Sequence, residues 1–176
     1  NTGIRVSNTG DFDTDVISLN GTDLSGNDKG LVVASGGTLN SVELSNITAD
    51  NTGTTGIEVD DGTASTVNIS DSSIVNGTTG IDIPGGNGVT LSVTNTNVSE
   101  NNNNGINVNT DANHAINVDS VTSQNNQDGV LLNTGTASTL NVTASIFDNN
   151  TRRGITFDVN GDVSGSDIVR NDFTDN

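Results

Sequence analysis

The stretch SIFDNNTRRGITF, residues 145–157, decides how the rest of the chain reads. It holds an apolar residue, Phe147, then a short polar run rich in Asn, then Gly154 leading the triplet Ile155-Thr156-Phe157. Apolar–any–apolar spacing is the mark of a strand with one buried face. The same Gly-led triplet recurs at Gly3, Gly30, Gly56, Gly80, Gly105 and Gly129, so successive intervals are 27, 26, 24, 25, 24 and 25 residues. Its inward pairs are Ile4/Val6, Leu31/Val33, Ile57/Val59, Ile81/Ile83, Ile106/Val108, Val130/Leu132 and Ile155/Phe157. Every one of these places is apolar in a chain that is only 30% hydrophobic. Such regularity is not accidental.

A second alternating pair follows in each unit, for example Ile17/Leu19, Val67/Ile69 and Ile116/Val118, although the seventh unit has Ser166 beside Ile168. Five residues after each pair stands one more inward position: Leu24, Ala49, Ile74, Val98, Ser123, Phe147 and Phe173. No 3.6-residue period is present, and hairpins would give shorter, irregular spacing. The repeat therefore predicts an all-β solenoid over residues 1–176, a single domain of about seven coils of roughly 25 residues with three short strands per coil. One coil cannot bury its apolar positions alone. Stacking at about 4.8 Å converts them into a continuous core, carried by Ile57, Ile81, Ile106, Val130, Ile155, Phe147 and Phe173.

With its Asn-rich turn before the Gly-led triplet, residues 145–157 resemble the right-handed parallel β-helix repeat of pectate-lyase-like proteins and bacterial surface adhesins. The resemblance covers essentially the whole chain. It implies a right-handed parallel β-helix and a ladder of stacked turn asparagines. Counting four residues back from the Gly assigns that ladder to Asn76, Asn101, Asn125 and Asn150, with Gly26 and Thr52 in the same place earlier. This fold hosts lyases, hydrolases, epimerases, tailspikes and inert stalks, so it does not choose a function.

Composition narrows the partners. The formal net charge is −17, from 22 acidic residues (all Asp except Glu43, Glu58 and Glu100) against Lys29, Arg5, Arg152, Arg153 and Arg170. A phosphate backbone or an anionic headgroup is repelled by such a surface, which argues against nucleic acid and membranes as partners. No apolar run reaches the length that spans a bilayer. With no Cys, stability is expected to come from stacking, in keeping with an extracellular or cell-surface location.

Candidate chemistry is sparse. On the outward side of the first strands lie Arg5, Val32, Glu58, Asp82, Asn107, Leu131 and Thr156, which makes Glu58 and Asp82 neighbours in adjacent coils, with Asp60 and Asp61 close by. Stacked carboxylates serve as an acid–base pair, bind a cation, or simply form a solvated acidic face. The single His114 and the Arg152-Arg153 pair fall in turns, where exposed, solvated side chains are expected. Asp158-Val-Asn160-Gly-Asp162 and Asp11-Phe-Asp13-Thr-Asp15 place oxygen side chains at alternate positions, so Asp158, Asn160, Asp162, Asp11, Asp13 and Asp15 are the candidate Ca2+ ligands. Ordinary turn chemistry explains the same residues. The absence of Trp and Tyr removes the aromatic platform on which sugar rings usually stack.

Six residues separate Phe173 from Gly3 if the termini are joined, as they do Leu24 from Gly30. That phase leads to the expectation of abutting coils, either a second subunit stacked head to tail or adjoining segments of a longer solenoid. The function expected from these observations is a non-catalytic extracellular structural or adhesive solenoid, in a fibre or within a larger surface adhesin, with a surface glycan as a further partner. The alternatives are a fragment of a carbohydrate-active enzyme of lyase or hydrolase type, and a calcium-dependent binding module.

Overall fold

The computed structural model describes residues 1–8, 12–35, 39–61, 65–85, 88–110, 112–134, 138–159 and 164–176. Seven parallel strands stack into a first sheet: Thr2–Asn8, Lys29–Ser35, Thr55–Asp61, Thr79–Ile83, Asn104–Thr110, Asp128–Thr134 and Arg153–Val159. A second sheet stacks Phe12–Asn20, Leu39–Ser45, Ser65–Ser70, Val89–Thr94, Ala115–Asp119, Thr139–Thr143 and Asp167–Val169. Register follows the repeat: Ile4 faces Leu31, then Ile57, Ile81, Ile106, Val130 and Ile155 in turn. Six turns separate the first strand of each stack from the last. The solenoid thus has about six turns, slightly fewer than the seven coils counted from the repeat.

The third face is thinner. Strands of three residues pair as Thr48–Asp50 with Ser73–Val75, and as Thr122–Gln124 with Ile146–Asp148 and Asp172–Thr174. Single bridges at Asp23–Thr48, Ser73–Asn97 and Asn97–Thr122 join them. The strands are short because each carries one inward residue between two sharp corners. At one corner Gly21, Asn46, Asp71, Asn95, Ser120, Ala144 and Arg170 all have positive φ. At the other the same holds for Gly26, Asn51, Asn76, Glu100, Asn125, Asn149 and Asp175. Gly, Asn and Asp tolerate this left-handed conformation best, which explains why they dominate both columns. The constant five-residue step read from the sequence is the distance across the first corner.

The Gly that opens each coil is needed for space. A Cβ on Gly80 or Gly105 would sit 2.6 Å from the carbonyl oxygen of the Gly one coil further on, and that backbone atom cannot move away. Inside, Ile57, Ile81, Ile106, Val130 and Phe147 are fully buried. Ile155 is half-buried, and Phe173 is 49% exposed because a coil packs on only one of its sides. Its ring still stacks on Phe147, with centroids 5.2 Å apart. Val32 keeps its place in the outward column, between Arg5 and Glu58 in the ladder, but is only 1% exposed and lies apart from the core cluster that holds Leu31 and Val33. No helix of the described residues is long and apolar enough to cross a membrane.

Candidate functional site

The left-handed corner after the second sheet does more than turn the chain. Asn46, Asp71, Asn95 and Ser120 form one wall of a groove of about 510 Å³ that runs across four coils. Thr48, Ser73, Asn97 and Thr122 on the third face form the other wall, and Ile47, Ser72 and Thr96 form the floor. Floor hydroxyls are used internally: Ser72 Oγ donates to the Ser70 carbonyl and Thr96 Oγ1 to that of Thr94. Along the wall Asn95 Nδ2 donates to Asp71 Oδ1 at 2.6 Å. The hydroxyls of Thr48, Ser73 and Thr122 have no partner among the described residues. The result is a row of neutral donors and acceptors repeating at the coil spacing, with one carboxylate among them.

The carboxylates singled out in the sequence lie on another face. Glu58 and Asp82 are paired in register in the first sheet, with Asn107 beyond. Lys29 forms an ion pair with Glu58 across one coil, a link that sequence separation had hidden. Asn107 Nδ2 donates to Asp82 Oδ1 at 2.7 Å. Burial, assisted by the nearby negative charge of Glu58, raises the Asp82 pKa above the usual carboxylate value. Glu58 has a cation and Asp82 does not. None of these side chains lines the groove between Asn46 and Thr122.

A family model described as right handed beta helix region matches residues 2–173. The chain belongs to that family. No curated protein and no solved structure matches the chain significantly.

Within this β-helix the expected asparagine ladder divides in two. Asn101 and Asn150 lie on a buried column whose intermediate member is Asn126 and whose last member is Asn176. Asn101 Nδ2 donates to Asn126 Oδ1, Asn126 Nδ2 to Asn150 Oδ1, and Asn150 Nδ2 to Asn176 Oδ1, at 3.2, 3.2 and 2.8 Å. Each of these acceptors also takes the backbone N–H of the preceding asparagine. Asn76 and Asn125 instead occupy the exposed left-handed corner one residue earlier. Counting back from the Gly failed because that turn is one residue shorter in some coils. Counting three residues forward from the third inward position reaches Asn101, Asn126, Asn150 and Asn176 without slippage.

Two turn residues also depart from expectation. Arg152 is not simply solvated: its Nε and Nη2 both bond the carboxylate of Asp128, whose side chain is fully buried. That hydrogen bonding raises the Arg152 pKa further. His114 is buried, at 4% exposure, where a turn histidine was expected in solvent. Of the calcium candidates, Asp158 is exposed at the edge of the last first-sheet strand. Asn160, Asp162 and Asp11 lie outside the described residues, as do the side chains of Asp13 and Asp15. Among the described residues no three His, Cys, Asp or Glu side chains are grouped to hold a metal ion.

Proposed function

We propose that this β-helix is a non-catalytic, extracellular or cell-surface structural module with an adhesive face, a rigid acidic rod that engages a neutral, hydroxyl-rich glycan. The observation that carries the reading is the groove between Asn46 and Thr122, whose polar side chains recur coil after coil along the axis. An extended polymer lying along that axis meets the same pair of groups at each coil rise. Neutral chains are favoured because net charge −17 repels acidic ones. Without Trp or Tyr, affinity rests on hydrogen bonds and on repetition along the polymer. Coils of the same polypeptide or of a second copy extend the rod by covering Ile168 and Phe173, which are exposed on the last coil.

Filling the groove tests the adhesive reading. Ser73→Leu with Thr122→Leu, both on the wall formed by the third face and clear of the left-handed corners, should abolish retention on neutral polysaccharide arrays while leaving the far-ultraviolet circular dichroism and Tm unchanged. Retention equal to that of the parent chain would remove the groove from consideration. Calcium belongs to the same reading as a stabiliser at Asp158/Asn160/Asp162 or Asp11/Asp13/Asp15, and chelator should then lower Tm.

A second reading, a carbohydrate-active enzyme, is favoured by one observation: the raised pKa of Asp82 beside a cation-paired Glu58. Turnover of any polysaccharide that disappears in Asp82→Asn and in Glu58→Gln would favour it over the adhesive role.

A further inference from the structure

His114 is the single histidine of the chain and sits where the first sheet turns into the second. Its column has a common pattern, in which a backbone N–H donates to a side-chain acceptor one coil further along. The His114 N–H donates to Ser138 Oγ, and the Val89 N–H donates to His114 Nδ1, both at 3.0 Å. A backbone amide can only donate, so Nδ1 must be unprotonated and the ring proton must sit on Nε2. Nε2 is buried and has no hydrogen-bond partner among the described residues. The ring is therefore held in one neutral tautomer, by one bond, with its other nitrogen unsatisfied.

We propose that His114 is an acid-sensitive latch on this corner of the fourth to sixth coils: protonating Nδ1 displaces the Val89 amide, and the corner opens locally while the rest of the stack stays folded. An imidazolium here would face the Val89 N–H donor to donor and would bury a second N–H without an acceptor. Among the described residues, no group on the strands around it compensates the charge. The strands packed on either side, Val89–Thr94 and Thr139–Thr143, contain no ionisable residue. On its own strand, Ala115–Asp119, the one carboxylate is Asp119, exposed at the far end. Asp111, three residues earlier, lies outside the described residues. Burial correspondingly lowers the His114 pKa.

The sign of the effect follows by linkage. With the folded pKa below the open-state value of about 6.5, the open form binds more protons as pH falls below that value. Closure is fully stabilised above about pH 6.5 and weakens as pH falls through that value toward the folded pKa. The same second-sheet strands lead directly into Asn95 and Ser120 of the groove wall, so latch and groove share coils four and five.

Amide hydrogen exchange on the full chain at pH 7.5 and 5.0, corrected for intrinsic rates, tests the latch. Protection of the Val89 amide should fall about tenfold for each unit by which the folded imidazole lies below the open one, to a ceiling of about thirtyfold at pH 5.0, while Val67 and Ile57 keep theirs. His114→Ser supplies an acceptor that does not titrate, as Ser138 does in the next coil, and should flatten the dependence at Val89. Nitrogen-15 spectra of the parent chain should show the Nε2–H tautomer at pH 7.5 and titration below 6.5. Titration at or above 6.5, or a Val89 response that is the same in parent and variant, would overturn the proposal whether or not the variant is fully stable.

Discussion

At the residue scale, stability resides in side chains that close hydrogen bonds between coils. Asn126 accepts from both nitrogens of Asn101 and donates to Asn150 and Ser123, all within the protein interior. Asn126→Ala strands those buried donors and should cost about 2–4 kcal/mol in urea unfolding. Asn125→Gly, one residue earlier but on the exposed corner, should stay within about 0.5 kcal/mol. Equal effects would mean that the two columns are not distinct. Asp82 gives the opposite pH behaviour from His114. Its raised pKa means that the folded state binds more protons just above the usual carboxylate range, so stability falls as pH rises through that window. Asp82→Asn should therefore raise Tm at pH 7, and the gain should vanish below about pH 3.8.

At the element scale, the coil is shaped by two left-handed corners and one glycine. A Cβ at Gly105 would meet the Gly129 carbonyl at 2.6 Å and the Val98 carbonyl at 2.9 Å, both backbone. Gly105→Ala should thus destabilise by about 1–3 kcal/mol. Gly21 is the contrasting case, since its φ of +64° is tolerated by Asn, as at Asn46 in the next coil, and nothing lies within 4 Å of the added carbon. Gly21→Asn should change stability by less than about 0.5 kcal/mol. Thermal melts of the two variants check the pair together, and the explanation fails if Gly21→Asn is the more damaging. The alternating pattern and the glycine period were legible in the sequence because both strand faces and coil closure repeat with it. The corners were not, because Asn, Asp, Ser, Ala, Glu and Arg share one backbone conformation there.

For the whole molecule, the governing balance is a dry aliphatic column inside a strongly acidic shell. Net charge −17 opposes the compact state through self-repulsion, and added salt screens it. Tm should rise steadily as NaCl increases from about 0.01 to 0.5 M. A flat or falling response would mean that local pairs such as Lys29–Glu58 and Arg152–Asp128 already neutralise the repulsion. Each coil contacts mainly its neighbours, so loosening at one corner need not spread through the stack, which is the property that the His114 latch requires.

The sequence by itself determined the architecture, since the Gly-led apolar–any–apolar triplet returns every 24–27 residues and brings Ile4, Leu31 and Ile57 into one column although the turns between them differ in length. Only the tertiary structure decided which polar residues share an environment. Lys29 meets Glu58 and Arg152 meets Asp128 across the stack, and His114 enters the interior, because side-chain placement at a corner depends on turn length and on the coils packed to either side. A shift of one residue in a turn moves an asparagine from the exposed corner to the buried ladder, and no strand periodicity registers that shift.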